Sequence, residues 1–135
     1  MTHTNNKKYF FEINKDKRNL FYFVLKDYEG DFYLVSGSYT HKTNCKEGIK
    51  SVIRNSKNEF RFEIEQDRYE RWFIWQKYRT GQIITRSREF VTIEELKNLI
   101  IDLKSLSLET PVIDKTKIII HSNKYESETF NPNSN

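Results

Sequence analysis

The sequence has few of the features that mark small secreted proteins or membrane proteins. It contains one cysteine, Cys45, among 135 residues, so no disulfide can form within the chain. Its longest apolar runs, at 99–103 and 117–121, are only a few residues long and cannot span a membrane. The first residues lack the apolar region and the small-residue cleavage site of a secretory signal. We therefore expect a cytoplasmic protein that does not associate with membranes.

Hydrophobic residues are also scarce, at 36% of the chain. The core must therefore depend on aromatic rings, which bury more area per residue than aliphatic side chains, and the sequence has ten Phe, eight Tyr and two Trp. The formal net charge is +4, and the positive excess lies in residues 1–58, which hold 11 Lys and Arg against 6 Asp and Glu; residues 59–106 hold 9 against 9. This mild basic balance is compatible with nucleic acid but does not indicate it.

No pattern in the sequence is typical of a metal, phosphate or cofactor site. His3, His41 and His121 lie in separate segments, with no carboxylate or cysteine at a ligand spacing. The four glycines are isolated from one another, so the chain lacks a glycine-rich phosphate loop. We therefore expect no metal, no cofactor and no enzymatic activity.

The tripeptide Phe-Glu-Ile occurs at 11–13 and again 51 residues later, at 62–64. At this spacing, aromatic, apolar, glycine, serine and aspartate positions coincide across most of the unit. The coinciding pairs include Asp16 and Asp67, Gly30 and Gly81, Ser36 and Ser87, Tyr39 and Phe90, Ile49 and Ile100, and Val52 and Leu103. We place a one-residue insertion between Asp67 and Gly81, which aligns Phe23 and Leu25 with Phe73 and Trp75. We interpret the chain as a tandem duplication.

Each unit predicts three strands and a helix. Runs rich in aromatic and β-branched residues predict strands at 9–14, 20–27 and 31–38, and again at 61–66, 71–78 and 82–87. Asp16 and Asp67 are typical of turns, where the carboxylate caps its own backbone. Apolar residues at helical spacing predict a helix at 43–55, and Thr92 with Glu95 forms a capping-box pattern that begins a second helix. The segment TKIIIHS at 116–122 predicts a last strand.

These elements predict an α+β fold in which tandem β3-α(-β) repeats form one largely antiparallel sheet, with two helices packed on one face. We divide the chain into a flexible N terminus (1–8), a first repeat (9–58), a second repeat (59–121) that shares one core with the first, and a disordered tail (122–135).

One pair of residues resembles a nucleophile with its base. His41 and Cys45 are four residues apart at the start of the first predicted helix, so their side chains can meet. A cysteine near a helix N-terminus and beside an imidazole can become a reactive thiolate. However, Leu96 occupies the position of Cys45 in the second unit. A buried, structural Cys45 is therefore the favoured interpretation.

The first unit resembles the repeat of the YegP-like small bacterial proteins, a family labelled as a domain of unknown function. The similarity is carried by the motifs FEI-x-x-D, FVLK-x-x-x-G, S-x-S-Y-x-x-K and GI-x-SV-x-x-N. The matching residues are Phe11, Glu12, Ile13, Asp16, Phe23, Leu25, Lys26, Gly30, Ser36, Ser38, Tyr39, Lys42, Gly48, Ile49, Ser51, Val52 and Asn55. The resemblance implies one continuous sheet in which the strand after each helix is exchanged into the other unit; residues 59–66 can serve both as that strand and as the opening strand of the second unit. It implies no activity and no catalytic residues.

Both faces of the predicted sheet carry apolar or aromatic side chains, but two helices can cover only one of them. We expect the other face to be a partner-binding surface, because exposed aromatic patches with polar rims usually mark interaction sites. Its predicted residues are Tyr22, Val24, Lys26, Arg71, Trp72, Ile74, Arg79, Arg86 and Arg88.

Two functions fit such a surface. The favoured one is a protein-interaction module that binds a protein partner or a second copy of itself, because aromatic and Arg residues are typical interface anchors. The alternative is single-stranded nucleic-acid binding, in which bases stack on sheet aromatics. The near-neutral second unit, which holds both tryptophans, argues against nucleic acid, as does the lack of an RNP-like motif. An enzyme is least favoured, because no nucleophile, base and orienting group occur together.

Overall fold

The structure is a computed structural model that describes residues 8–117. These residues form one mixed sheet of seven strands with two helices. The elements follow the order β-β-β-α, β-β-β-α, β, so the predicted α+β class is confirmed. None of the helices in this range is long and apolar enough to span a membrane. Except for Lys8, the predicted flexible N terminus (1–8) lies outside the described residues, as does the predicted disordered tail (122–135).

The first half contains strands β1 (Tyr9–Lys15), β2 (Phe21–Asp27) and β3 (Phe32–Ser36), followed by helix α1 (Lys42–Asn55). A short 3-10 helix (Glu59–Arg61) leads into strands β4 (Phe62–Gln66), β5 (Trp72–Lys77) and β6 (Ile83–Ser87), then helix α2 (Ile93–Leu103) and strand β7 (Val112–Asp114). The strand order across the sheet is β4-β5-β6-β3-β2-β1-β7. Neighbouring strands are antiparallel, except that β7 is parallel to β1.

The same two turns shape each half of the sheet. Asp16 and Asp67 follow the first strand of their halves, and the Oδ1 atom of each accepts two backbone N–H bonds of 2.8–3.0 Å. The turn role predicted for both aspartates is confirmed. Gly30 and Gly81 join the second strand to the third with φ of +100° and +94°. Glycine occupies these positions because a side chain there would be strained.

Both helices pack on one side of the sheet, where their apolar stripes meet the core. α1 buries Cys45, Ile49 and Val52, and α2 buries Leu96, Leu99 and Leu103. The strands contribute Phe11, Ile13, Phe23, Leu25, Leu34, Ile74 and Ile84 to the same cluster. Burying each of these larger side chains stabilises the fold by roughly 1.5–3 kcal/mol. The predicted capping box at Thr92 and Glu95 is present at the start of α2.

The two halves are related by an approximate two-fold axis at the centre of the sheet. Val35 of β3 pairs with Arg86 of β6, which lies 51 residues later, so exchanging the halves maps this pair onto itself. The N–H of Phe23 donates to Ser36 Oγ, and the N–H of Ile74 donates to Ser87 Oγ, both at 2.9 Å. Corresponding residues are therefore 51 positions apart in these strands.

The one-residue insertion predicted between Asp67 and Gly81 is wrong. Asn19 and Glu70, again 51 residues apart, are the two non-glycine residues among 8–117 with positive φ, at 65° and 63°. The spacing from Asp16 to Gly30 equals that from Asp67 to Gly81, so the second unit has no room for an insertion.

The segment after α2 returns to the first half and completes its edge. The N–H of Phe11 donates to the carbonyl of Pro111 at 2.8 Å, and the N–H of Lys115 donates to the carbonyl of Ile13 at 2.9 Å. The strand after the second helix is thus exchanged into the first half, as the resemblance implies. The last described strand lies at 112–114 and not within the predicted 116–122, where residues 116–117 are not in a strand. Residues 118–122 lie outside the described residues.

Candidate functional site

One face of the sheet is covered by neither α1 nor α2, and we call it the open face. Residues that pair with one another across six neighbouring strands form a row through the centre of this face. The row consists of Glu63, Trp75, Arg86, Val35, Val24 and Glu12. Alternation along each strand sends the residues of this row away from the helices. The open face therefore has apolar and aromatic side chains and one arginine at its centre, with a carboxylate at each end.

Two shallow depressions lie side by side on the open face, with volumes of about 420 and 410 Å³. Phe32 and Val35 line both of them. Trp75, Ile83 and Arg86 line the first, and Tyr22, Val24 and Lys26 line the second. Phe32 is 44% exposed and Ile83 is 49% exposed. The two depressions thus form a continuous concave strip with exposed apolar side chains in its walls.

A β-bulge in each half places the exposed apolar residues on this face. The register shifts between Leu25 and Lys26, so Phe32 pairs with Lys26 and points to the open face. The equivalent shift pairs Ile83 with Lys77. In the two halves it is β3 and β6, respectively, that carry the extra residue of the bulge. Simple alternation along the chain does not predict these two positions.

Arg86 covers the aromatic rings at the centre of the open face. Its guanidinium carbon lies 4.0 Å from the centroid of the Phe73 ring and 5.5 Å from that of the Trp75 ring. Phe73 and Trp75 meet edge to face at 5.6 Å. A guanidinium at these distances is attracted to the rings by their quadrupole. Phe73 is consequently buried although it faces away from the helices.

Three cations of the open face are paired with carboxylates. Lys26 contacts Glu12 at 3.5 Å, and the equivalent pair in the second half is Lys77 with Glu63. Arg86 Nη2 contacts Glu89 at 3.0 Å. The Lys77 ammonium holds the pKa of Glu63 below its usual range. The open face is therefore an apolar strip in which the central Arg86 and the flanking Lys26 and Lys77 are each neutralised by a neighbouring carboxylate.

Five of the nine residues predicted for the surface line the two depressions: Tyr22, Val24, Lys26, Arg86 and Arg88. Arg71 contacts Asp67 at 3.5 Å in the turn before β5, and Arg79 lines a different depression, beside Tyr78. These two arginines lie outside the apolar strip.

The placement of Trp72 and Ile74 on the open face is wrong. Ile74 is fully buried in the core, and Trp72 packs against it from the helix side. The mistaken insertion in the alignment reverses the two faces of β5, because a shift of one position moves every side chain of a strand to the other face. Phe73 and Trp75 take the open-face positions instead. The equal spacing from the turn aspartate to the turn glycine in the two halves is the sequence signal that could have assigned Phe73 and Trp75 to the open face.

Cys45 is fully buried, as its structural interpretation predicts, and burial raises the pKa of its thiol to about 11. His41 is exposed and lies one residue before α1, where its side chain makes no capping hydrogen bond. A thiol sealed in the core and held protonated is a poor nucleophile. The structure therefore does not bring His41 and Cys45 together as a reactive pair.

One acidic cluster has carboxylate oxygens close enough to hold a cation. Asp27, Glu29 and Asp31 lie around the turn after β2, with ligand atoms within 4.8 Å of one another. Asp27 already accepts the backbone N–H of Glu29 and Asp31 and the hydroxyl of Tyr33. These hydrogen bonds outweigh burial and lower the pKa of Asp27. The cluster is accounted for by its role in the turn.

Comparison with known proteins identifies relatives along most of the chain. The family described as "Domain of unknown function (DUF1508)" matches residues 16–63. The UPF0339 protein YegP of Escherichia coli K12 is 34% identical over 106 residues, which cover 78% of this chain and 96% of that protein. A UPF0339 protein of Shewanella oneidensis is 30% identical over 106 residues, again covering 78% of this chain and 96% of the relative.

Two solution NMR structures have the same fold. That of YegP from E. coli, described as a protein of unknown function, matches with a TM-score of 0.72 at 32% identity, over 80% of this chain and 93% of that one. The structure of the UPF0339 protein from S. oneidensis also has a TM-score of 0.72, at 29% identity, and the match covers 79% of this chain and 91% of the relative. The chain therefore belongs to the YegP-like (UPF0339) family, whose function is unknown.

Proposed function

We propose that the protein is a non-enzymatic protein-interaction module that binds a protein partner through the open face. The observation that carries this proposal is the concave apolar strip around Phe32, Val35 and Ile83, which neither helix covers. Exposed apolar patches of this kind usually serve as contact surfaces. Aromatic and Arg side chains at the centre, here Trp75 and Arg86, are typical of the residues that contribute most to interface affinity.

The arrangement of charges favours a protein over single-stranded nucleic acid. Bases need free ring faces for stacking and free cations for phosphates. On the open face the guanidinium of Arg86 already lies over Phe73 and Trp75, and Lys26, Lys77 and Arg86 each contact a carboxylate. A phosphate would have to compete with these ion pairs. A protein surface that buries the apolar strip leaves the Lys26–Glu12 and Lys77–Glu63 pairs in place at its two ends.

We further propose that the open face was formed by duplication of one β3-α unit. The matching serine hydrogen bonds, left-handed turn residues and Glu–Lys pairs in the two halves support this origin. The residues that differ across the two-fold axis, Val24 against Trp75 and Val35 against Arg86, make the strip asymmetric. An asymmetric strip suits a partner that is not itself two-fold symmetric.

Site-specific photo-crosslinking tests the proposed function. A photoreactive phenylalanine at Phe32 or at Ile83 is expected to capture the same protein in cells of the source organism. The control position is Val91, which is exposed just before α2 and lines neither depression of the open face. Capture of nucleic acid, or capture of the same species from all three positions, would show that the open face is not a protein-binding surface.

A further inference from the structure

The outer edge of β4 breaks the two-fold relation between the halves within residues 8–117. The edge strand β1 of the first half pairs on its outer side with β7. β4 is the equivalent strand of the second half and lies at the other end of the sheet, where no described strand pairs with its outer side. Unpaired strand edges present backbone donors and acceptors that favour the addition of another strand.

The β1 edge shows how such a position is filled. Residues 106–114 run along the outside of β1 and α1; Leu106 and Thr110 are buried there, and Ile13 is 0% exposed. Asp114 of the added strand contacts Lys42 at 2.8 Å. Lys42 thus holds the segment at the start of α1. Just after the end of α1, Lys57 Nζ donates to the carbonyls of Lys104 and Leu106 and holds the other end of the segment.

The equivalent surface beside β4 is apolar and uncovered by the described residues. Ile64, the counterpart of Ile13, is 40% exposed, and Phe60 just before β4 is 93% exposed. On α2, Ile101 is exposed and Ile100 is half-buried. Ile64 and Ile101 thus leave exposed apolar surface beside β4 that no segment of residues 8–117 covers in the way that residues 106–114 cover the first half.

We propose that the β4 edge binds an extended segment of a partner protein, which adds in parallel as an eighth strand in the way that β7 adds to β1. The main chain of Ile64 supplies the hydrogen bonds, as Ile13 does for Lys115. Strand addition of this kind takes its affinity from the main chain and its specificity from alternate side chains. The site adjoins the open face at Glu63 but lies outside the apolar strip, and it does not depend on the proposed function.

The neighbouring residues define the sequence that the added strand should have. By the register of β1 with β7, its first three residues lie opposite Phe62, Glu63 and Ile64. The third corresponds to Asp114, but Ile93 replaces Lys42 as its neighbour, so an apolar residue is expected in place of the acid. The fourth lies opposite Glu65, which forms no salt bridge within residues 8–117, so a Lys or Arg is expected there.

A second copy of β4 is a poorer occupant. Two β4 strands paired through their outer edges would place Glu63 and Glu65 of one chain beside those of the other on the same face. Like charges across neighbouring strands destabilise the pairing. The expected ligand is therefore an apolar–x–apolar–Lys/Arg segment of another protein.

The chain's own sequence supplies the test peptides. One peptide reproduces residues 107–117, and the other carries Asp114→Ile, which makes the sequence around it Val-Ile-Ile-Lys. Binding to the full-length protein is followed by NMR through the amide shifts of residues 62–66 and 11–13. The Asp114→Ile peptide should shift the amides of 62–66 and bind about tenfold or more tightly than the native peptide, because it does not bury an unpaired carboxylate.

Two changes are expected to abolish binding, and one is expected to leave it intact. Ile64→Pro removes the backbone N–H of Ile64, which points away from β5 toward the added strand. N-methylation of the backbone amide of the peptide lysine leaves the protein unchanged and removes the N–H that would donate to the Ile64 carbonyl. Tyr28→Ala, at an exposed position in the turn after β2 and four strands away from β4, should leave peptide binding within twofold.

Three results would overturn the proposal. The first is the absence of shifts at 62–66 at millimolar concentrations of the Asp114→Ile peptide. The second is shifts confined to 11–13, which would mean that the peptide replaces β7 at the β1 edge. The third is a concentration-dependent dimer formed through 62–66, which would identify a second copy as the occupant.

Discussion

β1 and β4 contain the same Phe-Glu-Ile sequence and pair in the same way with the strand that follows, yet their burial differs. Ile13 of β1 has no exposed surface, whereas two-fifths of Ile64 is exposed. The difference arises outside both strands, because residues 106–114 cover β1 and no described segment covers β4. The same local sequence therefore forms a strand with the same pairing in both halves, while the neighbouring segment decides whether that strand belongs to the core or to the surface.

The largest expected effect comes from truncating the same residue in the two strands. Ile13→Ala should lower the free energy of unfolding by about 2–5 kcal/mol, because it leaves a cavity in the packed core. Ile64→Ala should cost about 1 kcal/mol or less, because the side chain is partly solvated in the folded protein. Urea denaturation of the two variants measures both values. Equal losses would show that β4 is covered as fully as β1.

A smaller effect is expected where the first half relies on a glycine that the second half lacks. A Cβ on Gly48 would clash with Tyr39 Oη and lie 2.9 Å from its Cζ, whereas Leu99 occupies the equivalent position of α2. Gly48→Ala should therefore destabilise the protein by about 1–3 kcal/mol through overpacking. Gly37→Ala is the control, since nothing lies within 4 Å of its added Cβ. Thermal unfolding that ranks the two variants in the opposite order would contradict the close contact between α1 and Tyr39.

The ion pair that holds β7 has no equivalent at β4, where Ile93 replaces Lys42, and it should make stability depend on pH. Burial raises the pKa of Asp114, but hydrogen bonds from Lys42 and Thr116 lower it more strongly, to about 2. Because the folded pKa lies below the unfolded value, this stabilisation is present above about pH 4 and is lost as the pH falls towards 2.

Removing the Lys42 amine should remove much of the pH dependence that Asp114 gives to stability. Lys42→Met is expected to cost on the order of 1 kcal/mol at pH 7 and progressively less between pH 4 and pH 2. Denaturation curves of both proteins across this range test the expectation. A cost that stays constant down to pH 2 would mean that the Lys42–Asp114 pair contributes nothing to the added strand.

The smallest effect is expected at Cys45, whose counterpart in α2 is Leu96. Cys45→Val replaces one small buried apolar side chain with another and should change the free energy of unfolding by less than about 1.5 kcal/mol. In the native protein the thiol should react with an alkylating reagent only through unfolding, since it is buried and its pKa is raised to about 11. Rapid labelling of the folded protein at pH 7 would show that the thiol is accessible.

Much of the fold is predictable from the sequence because its signals are local. Turn aspartates, glycines with positive φ, the capping box and the apolar stripes of the helices each act within a few residues, and they correctly predict the order of the elements. The parallel pairing of β7 with β1 joins residues about one hundred positions apart, and only the family resemblance indicated it.

The open face was harder to predict because one misplaced insertion reverses a whole strand. Trp72 and Ile74 were assigned to the face that Phe73 and Trp75 occupy. The bulges that expose Phe32 and Ile83 change the alternation of side chains without any signal in the sequence pattern. The composition of the surface was therefore predicted better than the identity of its residues.

Two matched variants test whether the open face binds a protein. Ile83→Asp and Val91→Asp each place a carboxylate at an exposed apolar position, one on the open face and one outside it. The affinity of each variant for the protein captured by crosslinking is measured by isothermal titration calorimetry. We predict that Ile83→Asp weakens binding about tenfold or more while Val91→Asp stays within twofold of the unchanged protein. Equal affinities for the two variants would contradict binding through the open face.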